Sequence, residues 1–335
     1  MPAPHAIRLH GFIATALFIA GYAGALAASS NSPKLFAPGI VSGPADDLSP
    51  AFSPDGKIVY FTRGNASAST IVTSTLSNGR WSPATVAPFS GQWNDIEPAM
   101  APDGTFLIFA SNRPMDEHGS ALDGTYNGKT VPGGGGNLWR VDLTGGKWGP
   151  PKRLPDAINS ATAVFSPSIA SDGSLYFMRP DNRSGTFHLL RAQYRSGDYL
   201  VPEPVSVGDS STEEVDPAVA PDESFLVYSS NHPASREPKR LLIAFRSEHG
   251  WTTAQDLGDE VNERGGNIEA RLGPDHRTLY FSTNTVPPIS FPRTQRQAQI
   301  DLADMLEWAN GRENIWFVSL TPWIDAVLKN ERVTN

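Results

Sequence analysis

Carboxyl groups recur at corresponding positions along this chain, and they are the groups best suited to bind a ligand or to act on one. The acids are Asp47, Asp95, Glu97, Glu214, Asp216 and Glu269, and the polar residues expected to face them are Asn112, Arg113, Arg179 and Asn231. If the acids converge, they could bind a cation, a sugar or a basic peptide. Two carboxyls at a defined separation could hydrolyse a glycosidic bond, and several around one centre could hold a metal ion. These ten residues form the predicted binding site.

A structural role is the alternative interpretation of the same acids. Acids that pair with neighbouring arginine and asparagine side chains would only stabilise the fold. One repeat has Val164 and Phe165 where the others have an acid, which disfavours a symmetric metal ring and favours a one-sided pocket. A second possible metal group, formed by Asp116, Glu117 and His118, lies in a loop, where exposure to solvent is the simpler interpretation.

Five similar hairpins carry these acids. Each hairpin has an apolar strand, a turn of the Pro-Asp-Gly type and a second apolar strand, and such a turn sequence favours a tight reversal of the chain. The turn aspartates are Asp55, Asp103, Asp172, Asp222 and Asp275. With one longer interval, they recur about every 50 residues, which is a period found in β-propeller blades.

The repeat therefore predicts an all-β fold, a β-propeller with five four-stranded blades, six being the alternative. Two weaker strands follow each hairpin, and the outer one begins at an edge such as Gly79-Arg80-Trp81. No such edge follows the fifth hairpin, but residues 34–41 resemble the missing strand. We expect this N-terminal strand to complete the last blade. The first strands of the blades would line a central channel, with the acids near one mouth.

The repeats resemble the WD40-like, PD40-type propeller repeats of the TolB-like superfamily. The resemblance rests on the Pro-Asp-Gly turns, on the strand ends Ser111-Asn112-Arg113 and Ser230-Asn231, and on the Gly-x-Trp strands, and it covers nearly all of residues 34–320. It implies an exported propeller. Relatives are often six-bladed, and most either bind other proteins or are uncharacterised.

The N-terminus is predicted to be a signal peptide over residues 1–27, followed by a single propeller domain over 28–335. Arg8 precedes an apolar run, and Ala25-Leu26-Ala27 offers small residues for cleavage. The run is too short to span a bilayer, and no cysteine follows for lipid attachment. We expect export to a periplasm or to the medium, with no transmembrane anchor after cleavage.

Composition limits the partners. The formal net charge of −8 disfavours nucleic acid and anionic membranes as partners. The chain has no cysteine, so its stability must come from the core. It also lacks a phosphate loop, a Gly-x-Ser-x-Gly elbow and a His-Glu-x-x-His motif. We therefore expect no cofactor, and we expect a monomer.

Two insertions interrupt the repeat, at residues 114–136 and 285–313, and both are expected on the face that carries the acids. In the second, Thr294 and Gln297 form a plausible capping box. The apolar residues that follow at helical spacing are Ala298, Leu302, Met305 and Ala309. This pattern predicts one short amphipathic helix near 294–309.

Two functions fit these features. The first is a non-catalytic binding or scaffold protein that uses the loop-bearing face, with an envelope protein or a carbohydrate as its ligand. The second is a carbohydrate-active hydrolase or lyase, either a glycoside hydrolase or a polysaccharide lyase, that uses Asp95, Glu97, Asp216 and Glu269. A pocket with two unpaired carboxyls would favour the enzyme, and paired acids would favour binding.

Overall fold

A computed structural model describes residues 31–116, 118–207, 212–231, 238–262, 266–286 and 288–334. The predicted signal peptide over 1–27 lies outside these residues, as does Glu117. The signal peptide and the domain boundary at residue 28 therefore stay predictions. Within the described part of the chain, no helix is both long and apolar enough to cross a membrane.

The first two blades follow a short initial strand, β1 (Lys34–Leu35). The strands of blade 1 are β2 (Asp46–Phe52), β3 (Ile58–Gly64), β4 (Ser69–Ser77), β5 (Arg80–Trp81) and β6 (Thr85–Val86). The strands of blade 2 are β7 (Asp95–Met100), β8 (Phe106–Ser111), β9 (Gly124–Tyr126), β10 (Lys129–Val131), β11 (Asn137–Thr144), β12 (Lys147–Trp148) and β13 (Lys152–Arg153).

The remaining blades repeat this plan. Blade 3 has β14 (Phe165–Ile169), β15 (Leu175–Pro180), β16 (Phe187–Ala192), β17 (Tyr194–Arg195), β18 (Asp198–Tyr199) and β19 (Glu203–Pro204). Blade 4 has β20 (Glu213–Val219), β21 (Phe225–Asn231), β22 (Arg240–Ser247), β23 (Gly250–Trp251) and β24 (Gln255–Asp256), then α1 (Asp259–Asn262). Blade 5 has β25 (Ile268–Leu272), β26 (Thr278–Thr283), α2 (Gln295–Glu307) and β27 (Asn314–Ser319), then α3 (Thr321–Thr334).

The five-bladed propeller predicted from the repeat is confirmed. Each blade is an antiparallel sheet, and the first strand of each blade contacts the first strand of the next, with β25 returning to β2. The N-terminal strand closes the last blade as expected, because Lys34 pairs with Phe317 and Leu35 pairs with Trp316. The outer strands of the blades are short, and in blades 1, 2 and 4 two separate pieces pair with the third strand.

The first strand of every blade contains a β-bulge at the same point of its register. The bulge residues are Ser49, Glu97, Ser166, Asp216 and Glu269, with φ between 48° and 59°. A non-glycine residue in this region costs on the order of 1 kcal/mol. In a regular strand, residues two apart face the same side. The bulge breaks that alternation, so Asp95 and Glu97 face different surroundings.

The helices differ in part from the prediction. Helix α2 is confirmed, and Thr294 and Gln297 form the expected capping box. Its apolar side chains are not buried, because Leu302 is 50% exposed and Met305 is 40% exposed. Helix α3 was not predicted, although the half-buried Trp323 packs against the core of blades 4 and 5.

Aromatic packing fastens the N-terminal segment across the last and first blades. Phe36 is 8% exposed, and its ring lies against Phe52 and Trp81 of blade 1 and Tyr280 and Phe317 of blade 5, with centroids 5.1 to 6.4 Å away. One residue next to β1 therefore joins the two blades that the chain termini must hold together.

We predict that Phe36→Ala lowers the free energy of unfolding by about 3–5 kcal/mol, because it leaves a cavity between two blades. The matched control is Phe291→Ala, since Phe291 is 74% exposed. Urea unfolding of both variants measures the difference. Equal unfolding midpoints for the two variants would show that this contact does not hold the ring closed.

Candidate functional site

Two of the predicted acids form buried ion pairs inside their own blades. Asp47 Oδ1 accepts a hydrogen bond from Arg63 Nε at 2.7 Å, and both carboxylate oxygens of Asp95 lie 3.0 Å from Arg113 Nη2. Burial raises the pKa of the Asp47 carboxyl to about 6, although Arg63 acts to lower it. Because Asp47 and Asp95 are fully buried and paired, they belong to the frame of the propeller.

Glu214 occupies the corresponding position in blade 4 and has a histidine partner. Its Oε2 lies 3.4 Å from Nδ1 of His188, whose Nε2 lies 3.6 Å from Asp181. These three residues and Arg179 line a cavity of about 330 Å³ beside blade 3. The guanidinium of Arg179 contacts the hydroxyl of Ser160. Glu214 and Arg179 are therefore separated from the acids at the channel axis.

Three bulge residues bring their carboxyls together at the channel axis. Oxygens of Glu97, Asp216 and Glu269 lie within 4.8 Å of one another, and all three side chains are buried. Among the ion pairs of the described residues, one involves this trio, with Arg271 Nη2 lying 3.1 Å from Glu269 Oε2. The three blades that supply the acids therefore meet at a site with more negative than positive groups.

Hydrogen bonds from these bulge residues form a closed circuit through all five blades, which we call the axial ring. In blade order, the bonds are Glu97 N to Thr62 Oγ1 (2.9 Å), Ser166 N to Glu97 Oε2 (2.6 Å), Ser166 Oγ to Asp216 Oδ1 (2.7 Å), Glu269 N to Asp216 Oδ2 (2.9 Å) and Ser49 Oγ to Glu269 Oε2 (2.7 Å). Each bond joins neighbouring blades, so the ring holds the five blades together at the axis.

Protonation stabilises the crowded trio. Burial and, second to it, the charge of Asp216 raise the pKa of Glu97 to about 7 and that of Glu269 well above its ordinary value. Oxygens of the two glutamates lie within 4.8 Å of each other. Because buried carboxylates at such short range cannot all ionise, we infer that Glu97 and Glu269 share a proton.

The trio is the one group of carboxyls among the described residues that is close enough to hold a metal ion. Its fit to a metal is poor, because backbone and serine donors already bind its oxygens. Arg271 also places a positive charge beside Glu269. Of the loop residues suggested as a second metal group, Asp116 and His118 are not grouped with other ligands among the described residues, and Glu117 lies outside those residues.

A cavity of about 400 Å³ opens above this ring on the loop-bearing face, and we call it the mouth cavity. Tyr126, Phe165 and Phe187 form one wall, with neighbouring ring centroids 5.6 and 6.1 Å apart. Polar residues also line the cavity, namely Asn65, Ser67, Ser69, Asn94 and Asn112, together with the apolar Ala66, Ala68 and Ile96. Glu97 also lines the cavity, whereas Asp216 and Glu269 are not among its lining residues. The cavity therefore combines an apolar wall with many hydrogen-bonding groups.

Asn112 shows how the first insertion shapes the mouth cavity. Its Oδ1 accepts from the backbone N–H of Asn94 at 3.0 Å, and its Nδ2 donates to the carbonyl of Gly133 at 2.9 Å. The insertion itself contains the two-stranded ribbon of β9 and β10, which supplies Tyr126. A polar residue at a strand end thus fixes the loop that carries an aromatic wall residue.

The ten predicted residues fall into separate places. The buried ion pairs contain Asp47, Asp95 and Arg113, and the axial ring contains Glu97, Asp216 and Glu269. The mouth cavity is lined by Asn112, and the cavity beside blade 3 is lined by Glu214 and Arg179. The last residue, Asn231, ends β21 opposite Glu213. The sequence reasoning missed Ser49 and Ser166. Aligning the repeats would have found both, since they stand where Glu97 stands in blade 2.

Comparisons with known proteins support the fold alone. No family model and no curated protein matches the chain. TolB from Acinetobacter baumannii is 22% identical with a TM-score of 0.42, over 68% of this chain and 46% of that one, so the chain spans about half of that protein. An α-L-arabinofuranosidase from Lactobacillus brevis is 11% identical with a TM-score of 0.53, over 84% and 92%. A thermostable family-43 glycoside hydrolase is 12% identical with a TM-score of 0.46, over 74% and 86%.

The blade architecture confirms the propeller fold that the resemblance of the repeats implied, with five blades. The arabinofuranosidase shares this fold over most of both chains. At this level of identity, a shared fold does not transfer an activity.

We predict that Asp95→Asn destabilises the protein by about 3–5 kcal/mol, because it leaves the buried guanidinium of Arg113 without its counter-charge. Urea unfolding measures the loss. The control is Asp116→Asn, in the exposed part of the first insertion. If Asp95→Asn unfolds like its control, the ion pair does not stabilise the frame.

The trio predicts that stability falls as the pH rises. A carboxyl whose pKa is raised in the folded state holds its proton more tightly there, so the contribution is fully present below about pH 4.5. It is lost as the pH rises through about 7, the folded-state pKa of Glu97. The loss should be on the order of 3 kcal/mol.

Glu97→Gln should flatten this decline, because a neutral amide can keep the hydrogen bonds without titrating. Urea unfolding of the wild type and of this variant from pH 4.5 to 8.5 tests the effect. Glu248→Gln, in an exposed turn, is the matched control. An unchanged slope in Glu97→Gln would contradict the shared proton.

Proposed function

We propose that this protein is an exported, non-catalytic carbohydrate-binding propeller that takes a glycan into the mouth cavity. The observation that carries the proposal is that aromatic rings and amide and hydroxyl side chains line one cavity. Sugar rings have apolar faces that pack on aromatic rings and hydroxyls that need hydrogen-bond partners. The lining offers both kinds of group.

Hydrolysis is less well supported by the same geometry. A glycosidase needs two carboxyls on the bond that it cleaves. Of the four candidate catalytic acids, Asp95 is paired with Arg113, and Asp216 and Glu269 hold the axial ring. Only Glu97 of the four lines the mouth cavity. The arrangement therefore favours binding over catalysis.

Export and the loop-bearing face belong to the same proposal. The N-terminal sequence supports export, and the first insertion supplies Tyr126 and residues 133–135 to the lining of the mouth cavity. The aromatic wall is partly supplied by β9, in the first insertion. A glycan of the cell envelope or of the medium is the ligand that such a protein would meet.

We predict that Tyr126→Ala weakens glycan binding about tenfold, because it removes one side of the aromatic wall. Envelope and plant polysaccharides are screened on the purified protein, and calorimetry then measures affinity for the best ligand. Tyr194→Ala is the matched control, since this half-buried tyrosine lines a different cavity near the Asp172 turn. Its affinity should equal that of the wild type.

Three outcomes would overturn the proposal. No binding to any polysaccharide would exclude carbohydrate as the ligand. Equal affinity of the two tyrosine variants would show that the glycan does not bind in the mouth cavity. Release of shortened sugars during the screen would show that the hydrolase hypothesis is the correct one.

A further inference from the structure

A second cavity continues from the mouth cavity across blade 1 towards blade 5. It measures about 510 Å³, and Asn65 and Ser69 line both cavities, so one ligand can extend through them. No aromatic side chain is among the residues that line the second cavity. Its lining is polar and includes Asp46, Asn284, Asn310, Arg312 and Glu313. The two cavities therefore suit different parts of a ligand.

The carboxyls of the second cavity are unequally neutralised. Asp46 accepts from the guanidinium of Arg312 at 3.1 Å and from the backbone N–H of Glu313 at 3.1 Å. Glu313 pairs with no cation of the described residues, and its buried Oε2 has no hydrogen-bond partner among them. Arg312 therefore neutralises Asp46, and no described residue neutralises Glu313.

The surroundings of Glu313 favour the binding of one more positive charge. Burial, and to a smaller extent the neighbouring carboxylate of Asp46, raises the pKa of Glu313 to about 7. The other charges that face it are Arg312, beside Asp46, and the closed pair of Asp47 and Arg63 behind its backbone. A cation that enters the cavity would therefore favour the charged form of this carboxyl.

We propose that the second cavity binds the protonated primary amine of an amino sugar, so that the glycan recognised here carries free amino groups. This inference rests on the proposed function, which supplies the carbohydrate. An ammonium group would give Glu313 the counter-charge that no described residue provides, and the exposed amide of Asn284 could bind the sugar hydroxyls. A neutral hydroxyl would leave the charge of Glu313 uncompensated.

Calorimetry at pH 7 with a glucosamine tetramer and an N-acetylglucosamine tetramer tests the proposal on the full chain. The two probes differ only in whether the amine is free. The wild type should bind the glucosamine tetramer at least about tenfold more tightly than the acetylated one. Glu313→Gln should lose this preference and leave the affinity for the acetylated tetramer within about twofold.

A second variant covers the case in which Glu313→Gln does not fold, which thermal melting would show. Asn284→Asp adds a carboxyl at an exposed position of the same cavity, and it should increase the preference for the free amine. Tyr126→Ala should weaken both tetramers alike, because it acts on the mouth cavity.

The outcomes separate this inference from the proposed function. Equal binding of the two tetramers by the wild type, or a preference that persists in Glu313→Gln, overturns the amine site and leaves the glycan. If neither tetramer binds and a lysine tetramer binds in a way that needs Glu313, the cation is a peptide and both proposals fail. Failure of all probes also overturns both.

Discussion

Five hydrogen bonds around the channel axis join each blade to the next, and the rest of the propeller depends on this axial ring. The blades of a propeller must be held together at two places. One is the junction of the first and last blades, where the chain termini meet, and the other is the axis, where the first strands meet. The strand at Lys34–Leu35 closes the first of these places. The axial ring closes the second, from blade 1 round to Ser49 of the same blade.

The ring also decides which acids are left for function. Each first strand carries one bulge residue on the axis, and the carboxyls among them serve as acceptors for neighbouring blades. The acids two residues earlier, Asp47 and Asp95, are consumed in ion pairs inside their blades. Ligand recognition therefore moves outwards, to the mouth cavity and to the cavity beside Glu313, where the insertions add side chains that the repeat does not contain.

The sequence was a good guide to the fold because the repeat is strong. The number of turn aspartates predicted the number of blades, and the resemblance of residues 34–41 to an outer strand predicted the closing strand. The capping box of Thr294 and Gln297 located α2. The sequence was a poor guide to the site because alternation of side chains is the only rule available for a strand. The bulge breaks that rule, so Asp95 and Glu97, which looked like one ring of acids, have different partners.

The exposed side chains of α2 and the role of Glu313 could not be predicted from the sequence either. The outward apolar residues of α2 could not be told from inward ones, since helical spacing fixes a face but not what covers it. Glu313 lies outside the repeat, so comparing the repeats does not single it out. Its lack of a counter-charge follows from the contact of Arg312 with Asp46, which the sequence does not show.

The central claim is that buried carboxyls share a proton at the axis of a structural ring. Infrared difference spectroscopy of the folded protein tests it most directly, by comparing the wild type with Glu97→Gln at pH 6. The claim predicts a band from a protonated carboxyl group in the wild type that Glu97→Gln removes or shifts. A wild type with only ionised carboxylates at this pH would contradict the claim, and a metal ion or an external cation would then have to hold the trio together.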